Sequence, residues 1–136
     1  MKVGLLIIAH DRLGAALMDT ATGTLDRCPL HTSVLSVSRD CDPEETRSQA
    51  RALVRELDQG AGVLVLTDMY GSTPSNVACS LLDIPRVRVV AGINLPMLIR
   101  VFNYPELELD ELTRRAVSGG SDGIVLCSEE GGALRA

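Results

Sequence analysis

The chain has 136 residues, of which 46% are apolar, and a net charge of −5 from 13 basic and 18 acidic side chains. That length suits one domain with one core, which must be aliphatic because there are two Tyr, one Phe and no Trp. The acidic balance argues against a nucleic-acid or anionic-membrane partner, and no apolar run approaches the ~20 residues of a membrane-spanning helix. Met1-Lys2-Val3-Gly4 runs straight into an apolar stretch too short for a secretory leader, so a cytoplasmic location is expected. Cys28, Cys41, Cys79 and Cys127 carry no C-x-x-C or metal-like spacing, so free thiols and no bound metal are expected.

Strand one is predicted over about 2–9, an apolar run ending on His10. Helix one follows over about 13–26, with Leu13, Leu17, Ala21 and Leu25 on one face. Strand two is read at about 32–37 from Val34, Leu35 and Val37. Asp42-Pro43-Glu44-Glu45 then opens helix two: Asp42 can cap, Pro43 suits the first helical position, and Glu45 stands where a capping box needs it. Ala50, Leu53, Val54 and Leu57 form its apolar stripe, and Gly60 closes it. Strand three, about 61–67, ends on Asp68. Thr73 is read as the cap of helix three and Pro74 as its first residue, with Val77, Ala78, Leu81 and Leu82 inward. Strand four is about 86–91, and Gly92-Ile93-Asn94-Leu95-Pro96 leads into a short helix through about Asn103. Another helix, about 107–118, is expected to end at Gly119-Gly120, before a short strand at Ile124-Val125-Leu126. Alternating strands and helices imply an α/β fold: a doubly wound, mainly parallel sheet of about four strands, helices on both faces, and a short antiparallel edge strand. One domain is expected over 1–128 and a flexible tail over 129–136.

Two apolar runs that each stop on a reactive side chain locate the chemistry. Near-continuous apolar strands belong to buried parallel sheets, and such sheets act beyond the carboxyl ends of their strands. His10 and Asp68 meet at one rim if strands one and three are neighbours and strand two lies on the other side of strand one. A carboxylate on one ring nitrogen would set the tautomer and leave the other nitrogen free to attack. Gly71, Ser72 and Thr73 could hold phosphoryl oxygens through backbone N–H groups and hydroxyls. Together they point to phosphoryl transfer through histidine, in which positioning and charge stabilisation do most of the work. Asp11 and Arg12 adjoin the histidine, and Arg12 is a candidate phosphate contact, although solvated surface is the plainer reading of both. His31 is assigned no role, and Asn94 is read as a helix cap. No P-loop and no G-x-G-x-x-G after strand one occur, so no nucleotide cofactor is expected.

Val3 to His10 with Leu13-Gly14, Thr67 to Asn76, Ala91 to Met97 and Gly119 to Ile124 together resemble the mannose-type IIA proteins of the bacterial phosphotransferase system. The resemblance covers nearly the whole chain in order. It implies a phosphocarrier that takes a phosphoryl group from phospho-HPr on His10 and passes it to a IIB component serving sugar uptake. Asp68 maps to the family's carboxylate and Thr73 to its phosphate-binding hydroxyl. The family's homodimers, in which the last strand can be exchanged, make a dimer the expectation here. Two positions depart from the family: Asp11 stands where Gly usually follows the histidine, and Ser72 replaces the second Gly of a pair. Two other functions stay open. One is a regulatory protein whose phosphorylation state controls a partner; the other is the related module that phosphorylates dihydroxyacetone through a kinase.

Overall fold

The computed structural model describes residues 1–129, and the backbone alone for 133–135. Strands β1 (Gly4–His10), β2 (Thr32–Val37), β3 (Val63–Thr67) and β4 (Val87–Ala91) form one parallel sheet in the order β2-β1-β3-β4. The chain leaves β1 for β2 on one side and reaches β3 on the other. The connections therefore diverge at the carboxyl ends of β1 and β3, where doubly wound sheets place their ligands.

Alternation along the strands divides the core into two layers. Leu5, Ile7, Leu64 and Leu66 face α1 (Leu13–Leu25), α4 (Leu95–Asn103) and α5 (Leu109–Asp122), where Phe102, Leu98 and Leu112 are buried. Leu6, Ile8, Val63 and Val65 face α2 (Pro43–Leu57) and α3 (Thr73–Cys79) through Ala50, Val54, Val77 and Ala78. Each buried Leu, Ile or Phe contributes roughly 1.5–3 kcal/mol by leaving water. β3 is buried along its length and β1 up to Ala9 because both faces are covered, and His10 is exposed at the end of β1.

Several expectations are corrected. Leu13 is 44% exposed, and Gly14 rather than Leu13 is buried at the start of α1. A Cβ on Gly14 would lie 2.9 Å from a Val34 methyl, so α1 meets the sheet too closely there for a side chain. Leu82 is 53% exposed because α3 stops at Cys79 and tightens into a 3-10 turn, Ser80–Asp83, which rotates it outward. α5 does not end at Gly119-Gly120 but continues to Asp122. A Cβ on Gly119 would stand 2.5 Å from Arg100 Cβ, so the pair lets α4 and α5 pack closely. Asn94 locks that contact: its Oδ1 accepts the Met97 N–H and caps α4, while its Nδ2 donates to Gly120 O.

The short strand expected near the C-terminus is β5 (Val125–Cys127), antiparallel as expected, but its partner is β6 (Ala133–Arg135) in a separate two-stranded ladder. Within this chain it does not edge the four-stranded sheet. Of the tail expected over 129–136, residues 130–132 and 136 lie outside the described residues. No helix among the described residues is long and apolar enough to cross a membrane.

Candidate functional site

β1 and β3 carry His10 and Asp68 to the same end of the sheet. Asp68 Oδ2 accepts two hydrogen bonds from His10, one from the backbone N–H at 2.8 Å and one involving ring Nδ1 at 2.7 Å. Asp68 Oδ1 accepts the Met69 N–H at 2.7 Å. Burial of Asp68 would push its carboxyl pKa up. The hydrogen bonds from His10 and Met69, together with the charge of the His10 ring, outweigh that and hold it below its ordinary value. Asp68 is thus an anion facing Nδ1, which selects the tautomer with its proton there and leaves the Nε2 lone pair free.

His10 opens onto a polar cavity of about 360 Å3, lined also by Asp11, Ser38, Arg39, Cys41 and Thr73. The predicted residues divide here. Thr73 lines the cavity with its hydroxyl unengaged among the described residues. Ser72, not Thr73, is the N-cap of α3, which makes Pro74 the second helical residue. Its hydroxyl donates to Met69 O at 2.6 Å and accepts the Ser75 N–H at 3.5 Å, and its own N–H donates to Met69 O. Its one hydroxyl proton is therefore already used in the turn. Gly71, at φ +90°, donates its N–H to Ser75 Oγ at 3.2 Å. Of the three residues read as a phosphate cradle, only Thr73 keeps its side chain for a ligand. Arg12 stands outside the cavity lining.

Arg39 is one of the cavity residues that sequence reasoning missed, and the one that carries a charge. It follows β2, whose last residue Val37 pairs with His10 and accepts the Asp11 N–H at 3.1 Å. A basic residue just past a strand end was a visible signal. Its relevance depended on β2 being the neighbour of β1. A larger apolar groove lies between α1, α4 and α5, lined by Leu95, Pro96 and Ile99, and does not include His10. Among the described residues no group of three or more His, Cys, Asp or Glu could hold a metal ion, and the four cysteines are free thiols.

Asp11 has φ +46°, the left-handed region. Most side chains are strained there and Asp only mildly so. The structure therefore reverses the usual cost of glycine: Asp11→Gly should hold or raise the melting temperature. It also removes a carboxylate from the lining of the His10 cavity. On the reading of His10 as a phosphoryl acceptor, Asp11→Gly is expected to raise the equilibrium ratio of phosphorylated to unphosphorylated His10 by up to about tenfold, from ~1 kcal/mol of repulsion between nearby charges in a partly solvated site. A fall in that ratio would show that Asp11 supports the phosphorylated state.

An α/β domain with a histidine–carboxylate pair at its switch point and a polar cavity beside it is the class defined by this geometry. The chain belongs to the EIIA-man family, described as the PTS system fructose IIA component, which it matches over residues 4–117. It is 36% identical over 76 residues to the mannose-specific EIIAB component of Escherichia coli K12, a stretch covering 54% of this chain and 24% of that protein. It is 32% identical over 78 residues to the fructose-specific EIIA component of Bacillus subtilis, covering 56% of this chain and 53% of that one. These matches thus span about a quarter and about half of the relatives' lengths. Among solved structures, the mannose/sorbose specific IIA subunit of Enterococcus faecalis superposes with a TM-score of 0.83 at 27% identity, over 94% of this chain and 96% of that one.

Proposed function

We propose that this chain is a phosphotransferase-system IIA phosphocarrier that receives a phosphoryl group from phospho-HPr on His10 Nε2 and hands it to a IIB component in carbohydrate uptake. The observation that carries this is the 2.7 Å contact of His10 Nδ1 with a half-buried, ionised Asp68 at the mouth of a polar cavity. The balance of the step follows from it. In a ring-protonated phosphohistidine donor the N–P bond breaks, and its electron pair returns to that nitrogen, leaving a neutral imidazole. Neutral His10 gives its Nε2 lone pair to phosphorus, and the positive charge passes to the His10 ring. Asp68 faces that charge and stabilises it. No proton is gained or lost, and no metal or nucleotide takes part.

The test is incubation with enzyme I, HPr and labelled phosphoenolpyruvate. Label should reach this chain only through HPr and then move on to a IIB acceptor. Label that stays on this chain in the presence of IIB would favour the regulatory reading, and label that reaches a dihydroxyacetone kinase subunit would favour the third.

The protein is also proposed to be a homodimer. Val117, Ile124, Val125 and Leu126 are all exposed apolar residues near the C-terminus, and the neighbouring β4 is a sheet edge. Apolar surface beside an unpaired strand edge calls for a cover. Sedimentation should give twice the chain mass, and a monomer at tens of micromolar would reject the dimer.

A further inference from the structure

We propose that Arg39 is a phosphoryl-binding residue, its guanidinium holding the phosphoryl oxygens once His10 carries the group. The proposal rests on the reading of His10 as a phosphocarrier and adds the cation that this reading lacks. Transfer places a dianionic group in a cavity that already contains Asp11, with Asp68 directly behind the ring. The turn before α3 offers little to offset that charge. The Gly71 and Ser72 N–H groups and the Ser72 hydroxyl already have acceptors. Thr73 supplies a neutral donor and no charge. On the opposite wall of the cavity, past the end of β2, stands Arg39. Ion pairs engage Arg47, Arg51, Arg88, Arg100, Arg114 and Arg115 elsewhere. Arg39 makes no hydrogen bond or ion pair among the described residues, and it is the one cation lining the cavity. A planar guanidinium with paired donors matches phosphoryl oxygens in shape and charge. The same placement accounts for Asp11 being tolerated beside His10: one added negative charge is opposed by one positive charge in the same cavity.

The full chain serves for the test, as wild type, Arg39→Gln, Arg39→Lys, Asp11→Gly and the double variant Asp11→Gly/Arg39→Gln. Each is equilibrated with phospho-HPr and, separately, loaded from potassium phosphoramidate, a small donor whose ammonia leaves as the N–P bond to His10 forms. Arg39→Gln should lower phospho-His10 about fivefold with either donor, a modest factor for a solvent-facing charge. Arg39→Lys should retain part of the effect, because it keeps the charge and loses the fork. The difference should shrink as ionic strength rises from about 0.1 to 1 M, over which the screening length falls from ~10 to ~3 Å. Melting temperatures should be unchanged, since Arg39 is exposed and makes no hydrogen bond or ion pair among the described residues. Equal loading of wild type and Arg39→Gln by phosphoramidate overturns the proposal. So does a loss that vanishes in the Asp11→Gly background, where Arg39 would prove only to neutralise Asp11. If phosphoramidate loads wild-type His10 and phospho-HPr does not, the assigned donor is wrong and the phosphoramidate arm still decides Arg39. If neither donor loads His10, both readings fall.

Discussion

A His10→Ala protein is expected to take up no phosphate from phospho-HPr, against near-stoichiometric uptake by wild type. The chain has only two histidines. His31 is exposed in the loop before β2, and its ring makes no hydrogen bond among the described residues, so nothing sets its tautomer or stabilises its cation. His10 has both a carboxylate on Nδ1 and a polar cavity in front of Nε2. The loss should not reflect unfolding. The His10 side chain is 46% exposed, and the backbone N–H that bonds Asp68 survives the substitution. The wild-type adduct should be acid-labile and stable in base, as expected of a phosphorus–nitrogen bond, and NMR should place it on Nε2. Phosphate retained by His10→Ala, or mapped to His31, would falsify the assignment.

Asp68→Asn is expected to slow phosphorylation of His10 by roughly 10²–10⁴-fold, the range seen when an orienting carboxylate or an acid–base group is removed. Asn keeps the shape and one acceptor oxygen. Asp68 Oδ2 now serves both the His10 N–H and Nδ1, and Oδ1 serves the Met69 N–H. An amide has a donor in place of one of those oxygens. It must either lose a backbone bond or present N–H to Nδ1, which would favour the wrong tautomer. It also lacks the charge that opposes the cationic ring. Stability should respond differently with pH. The folded carboxyl titrates below its ordinary 3.8. Its stabilising contribution is therefore fully present above that value and is lost as pH falls through the lower folded pKa. Acid unfolding of Asp68→Asn should thus be less steep than that of wild type below about pH 4, while the two differ most in stability near neutrality. A phosphorylation rate equal to wild type, with an unchanged acid transition, would remove Asp68 from the mechanism.

The candidate site was legible wherever a strand end announced it. His10 and Asp68 each close a run of buried aliphatic residues, and only one strand order brings such ends together. Ser72 was half legible. Its residue type suits a cap and a ligand equally, and the position of the helix start relative to Thr73 decided for the cap. Arg39 was not legible as a site residue. Nothing local distinguishes it from Arg12, which lies closer to His10 in sequence and yet stands outside the cavity lining.

By itself the sequence determined the α/β class, the four parallel strands, the caps at Asp42 and Asn94, and the placing of His10 and Asp68 at strand ends. These follow from period, apolar run length and the chemistry of helix starts, all of which act within a few residues. The tertiary structure decided the rest. It buried Gly14 rather than Leu13, carried α5 through Gly119 and Gly120, turned Leu82 outward, and paired β5 with β6 rather than with the main sheet. At Gly14, Gly119 and Gly120 a close approach between elements overrode local preference. Glycine weakens an isolated helix by about 1 kcal/mol. Between α4 and α5, where a Cβ would stand 2.5 Å from Arg100, its missing side chain is what allows the helices to pack. Strand order, a property of the assembled sheet, likewise set which loop lines the His10 cavity and so brought Arg39 to it.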